Sequence, residues 1–123
     1  MSIQDEYRWC ATYSQVLVDF PNQKPFSNIV EAEVQHIGAV SKLFTSRGLA
    51  VPANRLGAGD IATFSSLTAA CRAAADGETA NYQMYDRFLA ELKGEPADAV
   101  NVFTSLKDAS RNRHLPAFIA CAK

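Results

Sequence analysis

Residues 26–40, FSNIVEAEVQHIGAV, constrain the fold more than any other stretch of the chain. They predict an amphipathic helix. Positions 29, 33, 36 and 40 follow one another at steps of four, three and four residues and therefore share one face, which begins with Ile29 and ends with Val40. The two positions between them on this inward face hold Glu33 and His36. Because a buried polar side chain is costly unless it is hydrogen-bonded or bound to a ligand, this face is expected to have a structural or chemical role beyond packing.

The spacing of Glu33 and His36 admits two interpretations. A Glu-x-x-His unit on an inward helix face is how dimetal carboxylate bundles hold their ions. The same spacing suits a buried hydrogen-bonded pair, or a helix rotated far enough for water to reach both side chains. Since the motif is short, similar residues elsewhere in the chain must decide between these interpretations.

Three further polar residues lie on or beside predicted apolar stripes. Glu6 occupies a stripe position in an N-terminal helix that Pro21 ends. Asp86 adjoins the inward face of a later helix, where it could also be a boundary residue paired with a base. His114 lies on the inward face of the last helix, which Pro116 should kink or loosen.

Caps, prolines and glycines predict five helices. Their approximate bounds are 2–20, 29–47, 66–75, 79–93, and from 96 almost to the end. Asn28 is the expected N-cap of the second helix and Gly48 its expected C-cap. Gly77 separates the short third helix from the fourth, and residues 49–63 form a long connection.

Composition narrows the classes of function. With 123 residues and 48% hydrophobic content, the chain can form one domain over residues 1–123 with a real core. The net charge of -1, with dispersed Lys and Arg, indicates no binding to nucleic acid. No apolar run is long enough to cross a membrane and no signal segment is visible, so a cytoplasmic location is expected. Cys10, Cys71 and Cys121 are odd in number and lack Cys-x-x-Cys spacing, which favours reduced thiols over disulfides or zinc ligands.

Taken together, these segments resemble an uncharacterised bacterial family within the ferritin-like superfamily, over nearly the whole chain. FSNIVEAEVQHIGAV carries that family's Phe-Ser-Asn-Ile start and its Glu-x-x-His. SRNRHLPAF is similar to the family ending Ser-x-Asn-His-Leu-x-Ala-Phe. Glu6 precedes Tyr13 by seven residues, as a family glutamate precedes its tyrosine, and Asp86 stands at a family glutamate position.

The resemblance implies an all-α fold, a ferritin-like antiparallel four-helix bundle with one additional short helix. It also implies a two-metal centre that binds iron or manganese, for which mixed carboxylate and imidazole donors are suited. The ligands carried over to this chain are Glu6, Glu33, His36, Asp86 and His114. We expect their tips to meet within about 8 Å, the span of a two-metal site. A homodimer and a small-molecule substrate of unknown identity are compatible with such a protein.

The chain also departs from the family pattern. Arg111, a cation, stands three residues before His114 where a second Glu-x-x-His would need glutamate, and Ser110 stands four residues before His114 instead of three. An inward Arg111 would neutralise the carboxylates without metal, whereas helical spacing favours Ser110 inward and Arg111 outward.

Three hypotheses follow, and the sequence leaves open whether the protein is an enzyme. The first is an iron- or manganese-binding protein with a redox or iron-handling role. The second is a metal-free, degenerate ferritin-like bundle that acts as a binding or structural module. The third is a small-molecule pocket lined by Tyr13, Tyr82, Tyr85 and the acidic groups.

Overall fold

The computed structural model describes residues 2–94 and 96–123, with Ser2 and Ala58 described by their backbone alone. Its helices are α1 (Ser2–Asp19), α2 (Phe26–Thr45), α3 (Leu67–Glu91), α4 (Ala97–Ala109) and α5 (Leu115–Cys121). A 3-10 turn covers Ala58–Asp60, and a π-helical turn, Ser110–His114, joins α4 to α5. Within the described ranges there is no strand, and none of their helices is long and apolar enough to cross a membrane.

The chain divides into two compact units, Met1–Ser65 and Ser66–Lys123, called here the first and second unit. In the first unit α1 packs against α2. Tyr13 contacts Phe26 with ring centroids 5.6 Å apart, and Glu6 approaches His36. Because residues early in α1 meet residues late in α2, the two helices run antiparallel, as the short connection between them predicts.

The buried face of α2 confirms the predicted stripe. Its buried residues are Phe26, Ile29, Glu33 and Val40. The helix begins at Phe26, so Asn28 lies inside it, and the N-cap position is Pro25, which makes no side-chain cap hydrogen bond. The predicted N-cap is therefore wrong. The helix already begins at Phe26, two residues before Asn28, directly after Pro25.

The long connection after α2 returns to α1. Tyr7 Oη donates a hydrogen bond of 2.8 Å to the carbonyl oxygen of Pro52, and Gln4 Nε2 donates one of 2.9 Å to that of Ala53. Helix α2 ends at Thr45 with Ser46 at its C-cap, so the predicted C-cap, Gly48, lies two residues too late. Gly48 adopts a φ of 69°, which favours glycine where the chain turns away after the helix. Two side-chain hydrogen bonds thus fasten this predicted loop to the N-terminal half of α1.

In the second unit α3 is one continuous helix of 25 residues. Ser66 caps it, with its side chain accepting a hydrogen bond from the Ala69 N–H; the sequence allowed either Ser65 or Ser66 in this role. Gly77, predicted to separate two helices, lies within it. Glycine lowers helix stability by only about 1 kcal/mol relative to alanine, and the apolar face of α3 continues past it. The predicted additional short helix is therefore the first part of α3.

Helix α3 packs against α4, the π-helical turn and α5. Asn81 is hydrogen-bonded to Ser110, and Lys107 Nζ lies 2.6 Å from Asp86 Oδ1. Because the later residue of α3 contacts the earlier residue of the segment opposite, the two run antiparallel. Farther along, Cys71 and Cys121 form a disulfide. That bond corrects the expectation of reduced cysteines, which held only for Cys10, the free thiol. Antiparallel helices bring together two cysteines that are 50 residues apart, with Cα atoms at 5.8 Å.

Candidate metal centre

Three predicted site residues meet where α1 packs against α2, two of them buried carboxylates and the third, His36, partly exposed. Glu6 and Glu33 are 0% and 1% exposed. His36 Nδ1 lies 3.5 Å from Glu33 Oε2 and 3.7 Å from Glu6 Oε2. One donor atom from each of the three residues lies within 4.8 Å of the other two. We call these residues the α1–α2 cluster.

The geometry of the α1–α2 cluster suits a shared ion. Nitrogen–oxygen hydrogen bonds are typically about 2.7–3.2 Å long, so the two distances from His36 Nδ1 exceed that range. Around an ion with bonds of about 2.1 Å, neighbouring donors lie about 3.0 Å apart in an octahedron and about 3.4 Å apart in a tetrahedron. The two separations from His36 Nδ1, 3.5 and 3.7 Å, are close to the tetrahedral value, and all three donor atoms lie within 4.8 Å of one another.

The charges of the α1–α2 cluster point to the same ligand. When ionised, its two carboxylates carry two negative charges inside the unit, and an imidazole can offset at most one. A divalent cation would offset both. The donor set of two oxygens and one nitrogen is typical of iron, manganese or zinc sites rather than of sites that select soft metals.

The negative charge of the α1–α2 cluster affects the pKa of the Cys10 thiol. Cys10 lies one helical turn after Glu6 and is partly exposed. Burial raises the pKa of its thiol, the carboxylate of Glu33 raises it further, and that of Glu6 adds a smaller increase. A hydrogen bond with Ser14 acts in the opposite direction. Ionisation of Cys10 therefore depends on the charge of the α1–α2 cluster.

The second unit holds a carboxylate and a histidine in its interior. His114 Nδ1 lies 3.3 Å from Glu78 Oε1, and their side chains are 5% and 2% exposed. His114 was predicted from the sequence, whereas Glu78 was missed because Gly77 was taken as the end of a helix. The signal was present: Ala74, Glu78, Asn81 and Tyr85 follow one another at steps of four, three and four, all buried. We call Glu78 and His114 the α3–π pair.

Asp86 does not belong to the α3–π pair. Its side chain is 48% exposed and forms an ion pair with Lys107. This placement corrects the expectation of an inward Asp86, because the continuous α3 turns position 85 to the core and position 86 to the surface. The sequence had allowed this outcome, a boundary aspartate paired with a base, and the base is Lys107.

Arg111 points away from the interior. It is exposed, and its guanidinium carbon lies 5.7 Å from the centroid of the Tyr82 ring. Ser110 is 2% exposed, so the preference for an inward Ser110 and an outward Arg111 is confirmed. At the surface the Arg111 guanidinium makes a cation–π contact with Tyr82.

The tyrosines proposed to line a small-molecule pocket lie in different units. Tyr13 belongs to the first unit, where its ring contacts Trp9 and Phe26. Tyr82 and Tyr85 belong to the second, where Tyr85 is fully buried among aromatic rings and Tyr82 lies beneath Arg111. These aromatic residues have packing partners that account for their positions.

Comparison with protein-family models, with curated proteins and with solved structures finds no match to this chain.

Proposed function

We propose that this protein binds iron or manganese through buried carboxylates and adjacent histidine side chains on a ferritin-like helical scaffold. The observation that supports the proposal best is the α1–α2 cluster, in which Glu6, Glu33 and His36 bring three donor atoms within 4.8 Å of one another. The Glu-x-x-His spacing on α2 is the ligand unit of dimetal carboxylate bundles. The α3–π pair is a second, separate combination of one carboxylate and one imidazole, inside the second unit.

The candidate ligands differ by one residue from the sequence expectation. In the first unit Glu6, Glu33 and His36 are retained. In the second unit His114 is retained and Glu78, not the exposed Asp86, is its carboxylate partner. A bound ion of this kind supplies Lewis acidity and, if it is iron, a change of oxidation state. A redox or iron-handling role is the corresponding functional class. An inward Arg111 was one feature that favoured the metal-free alternative, and the exposed position of Arg111 withdraws that particular support.

Metal titration of chelator-treated protein tests the proposal. We expect manganese(II), or iron(II) without oxygen, to raise the thermal midpoint. The free energy of unfolding should rise by about 2.7 kcal/mol when the free metal is a hundred times its dissociation constant. Glu33→Gln should abolish this increase. Its apoprotein should be at least as stable as the wild type, since a buried charge has been removed.

Asp86→Asn is the matched control, because it removes a carboxylate of the same chain that lies at the surface. It should keep the full metal-dependent shift. The proposal is refuted if the wild type shows no shift at millimolar metal, or if Glu33→Gln and Asp86→Asn respond alike. Elemental analysis of protein prepared without a metal-affinity tag gives an independent count of bound ions per chain.

A further inference from the structure

The π-helical turn places His114, and Ser110 is the residue on which that turn depends. The Leu115 N–H donates to the carbonyl oxygen of Ser110, five residues earlier, which closes the wide turn. Three exposed residues, 111–113, separate two buried ones, Ser110 at 2% and His114 at 4% exposure. The orientation of the His114 imidazole is therefore tied to the position of the Ser110 backbone.

Pro116 explains why the helix widens here. In a regular α-helix, the ring of Pro116 would clash with the carbonyl group of Asn112, and the missing N–H would leave that carbonyl without its usual donor. A π-helical turn relieves this crowding at the cost of a less common hydrogen-bond pattern. Pro116 does not, however, fix which residue begins the wide turn. A shift of one residue would rotate His114 by roughly 100° about the helix axis, away from Glu78.

Asn81 supplies the contact that selects the register. It lies on α3, one turn after Glu78, and is 6% exposed. Its Nδ2 donates a hydrogen bond of 3.0 Å to Ser110 Oγ. Helix α3 thus presents an amide and a carboxylate one turn apart, and the facing turn presents a hydroxyl and an imidazole four residues apart. A shifted register would break the hydrogen bond between Asn81 and Ser110 while both side chains stayed buried, which would lower the stability of the fold.

We propose that Asn81 is a positioning residue, whose hydrogen bond to Ser110 holds the π-helical turn in the one register that directs His114 Nδ1 at Glu78. The geometric part of this proposal stands without a metal. Its consequence for metal affinity rests on the proposed function, in which His114 is a ligand. Partners that orient a ligating histidine typically account for 10- to 100-fold in affinity.

Nuclear magnetic resonance of the two histidines tests the positioning role directly. His36 and His114 are the only histidines, and they lie in different units, so His36 serves as an internal reference. In metal-free protein labelled with ¹⁵N-histidine, Asn81→Leu and Ser110→Ala should each shift the ring-nitrogen resonances of His114 and leave those of His36 in place. In the metal titration, each should lower affinity about tenfold.

The double variant Asn81→Leu/Ser110→Ala separates positioning from simple stabilisation. Removing both hydrogen-bonding groups leaves no orphaned polar atom, so much of the stability lost in either single variant should return. If Asn81 positions His114, the displaced His114 resonances and the weaker metal affinity persist in this stable protein. Native His114 resonances in the double variant would overturn the proposal. This variant also decides the matter if a single variant does not fold.

The two proposals can fail separately. If the wild type binds no metal but the His114 resonances move as described, the proposed function fails and the positioning role stands. If metal binds to the wild type and to Asn81→Leu with equal affinity, and the His114 resonances do not move, Asn81 has no positioning role. Asp86→Asn, a change on the exposed face of α3, should leave the resonances and the affinity at their wild-type values.

Discussion

Loss of the Cys71–Cys121 disulfide should destabilise the second unit more than any single side-chain contact described here. The bond joins the first turns of α3 to the last residue of α5, across 50 residues of sequence. Cys71 is fully buried. The perturbation is the pair of substitutions Cys71→Ala and Cys121→Ala, made in a Cys10→Ala background so that no thiol is left to exchange.

The expected magnitude follows from the length of the closed loop. For a loop of about 50 residues the chain-entropy relation gives about 14 cal/mol/K, or about 4 kcal/mol at 25 °C. A small domain is commonly stable by about 5–15 kcal/mol in total. The substituted protein should therefore fold, but with much of the stability of the second unit lost.

Amide hydrogen exchange shows which residues lose stability when the disulfide is removed. A decrease of about 4 kcal/mol corresponds to about a thousandfold faster exchange of amides that open only by unfolding of the unit. We expect this acceleration in the buried turns of α3 and in α5. A count of alkylated thiols on the wild type, one per chain before reduction and three after it, first establishes that the bond is present. An acceleration of less than tenfold would show that the loop closure does not stabilise the second unit as argued.

Three other predictions concern the candidate ligands. Glu33→Gln should lower the raised pKa of the Cys10 thiol toward its ordinary value, and a bound divalent cation should do the same. Iodoacetamide should then alkylate Cys10 faster at any pH below the thiol pKa, and equal rates with and without metal would contradict a cation in the α1–α2 cluster. Glu78→Gln should weaken metal binding. Asp86→Asn should change neither the metal affinity nor the free energy of unfolding by more than about 1 kcal/mol, because the ion pair between Asp86 and Lys107 is exposed. Arg111→Glu should leave metal affinity unchanged in the same titration, since that side chain lies outside over Tyr82, and a sharp increase would show that Arg111 blocks the site.

The sequence predicted the first unit well because its helices obey local rules. The three-four stripe of α2 placed Ile29, Glu33 and Val40 in the interior, and the stripe of α1 did the same for Glu6. The start of α2 was misplaced by three residues, which is the usual uncertainty of helix boundaries predicted from sequence. The expectation of one domain over residues 1–123 and the bundle topology stay predictions.

The second unit was harder to predict, because several of its features depend on packing between helices. Gly77 carries a local signal for a helix end, but the continuous buried face of α3 outweighs it, and Glu78 was missed for that reason. The one-residue difference between Asp86 and the inward Tyr85 follows from the phase of this longer helix. The pairing of Cys71 with Cys121 depends on a contact between distant segments, which spacing alone does not indicate.

The ring contact between Trp9 and Tyr13, with centroids 5.5 Å apart, has a practical consequence. Trp9 is the only tryptophan in the chain and belongs to α1, three residues after Glu6, so its indole emission reports on the first unit. Because Trp9 lies one helical turn after Glu6, we expect its emission to change when iron or manganese binds in the α1–α2 cluster. The chain therefore carries an intrinsic fluorophore by which occupancy of this cluster can be followed without any added label.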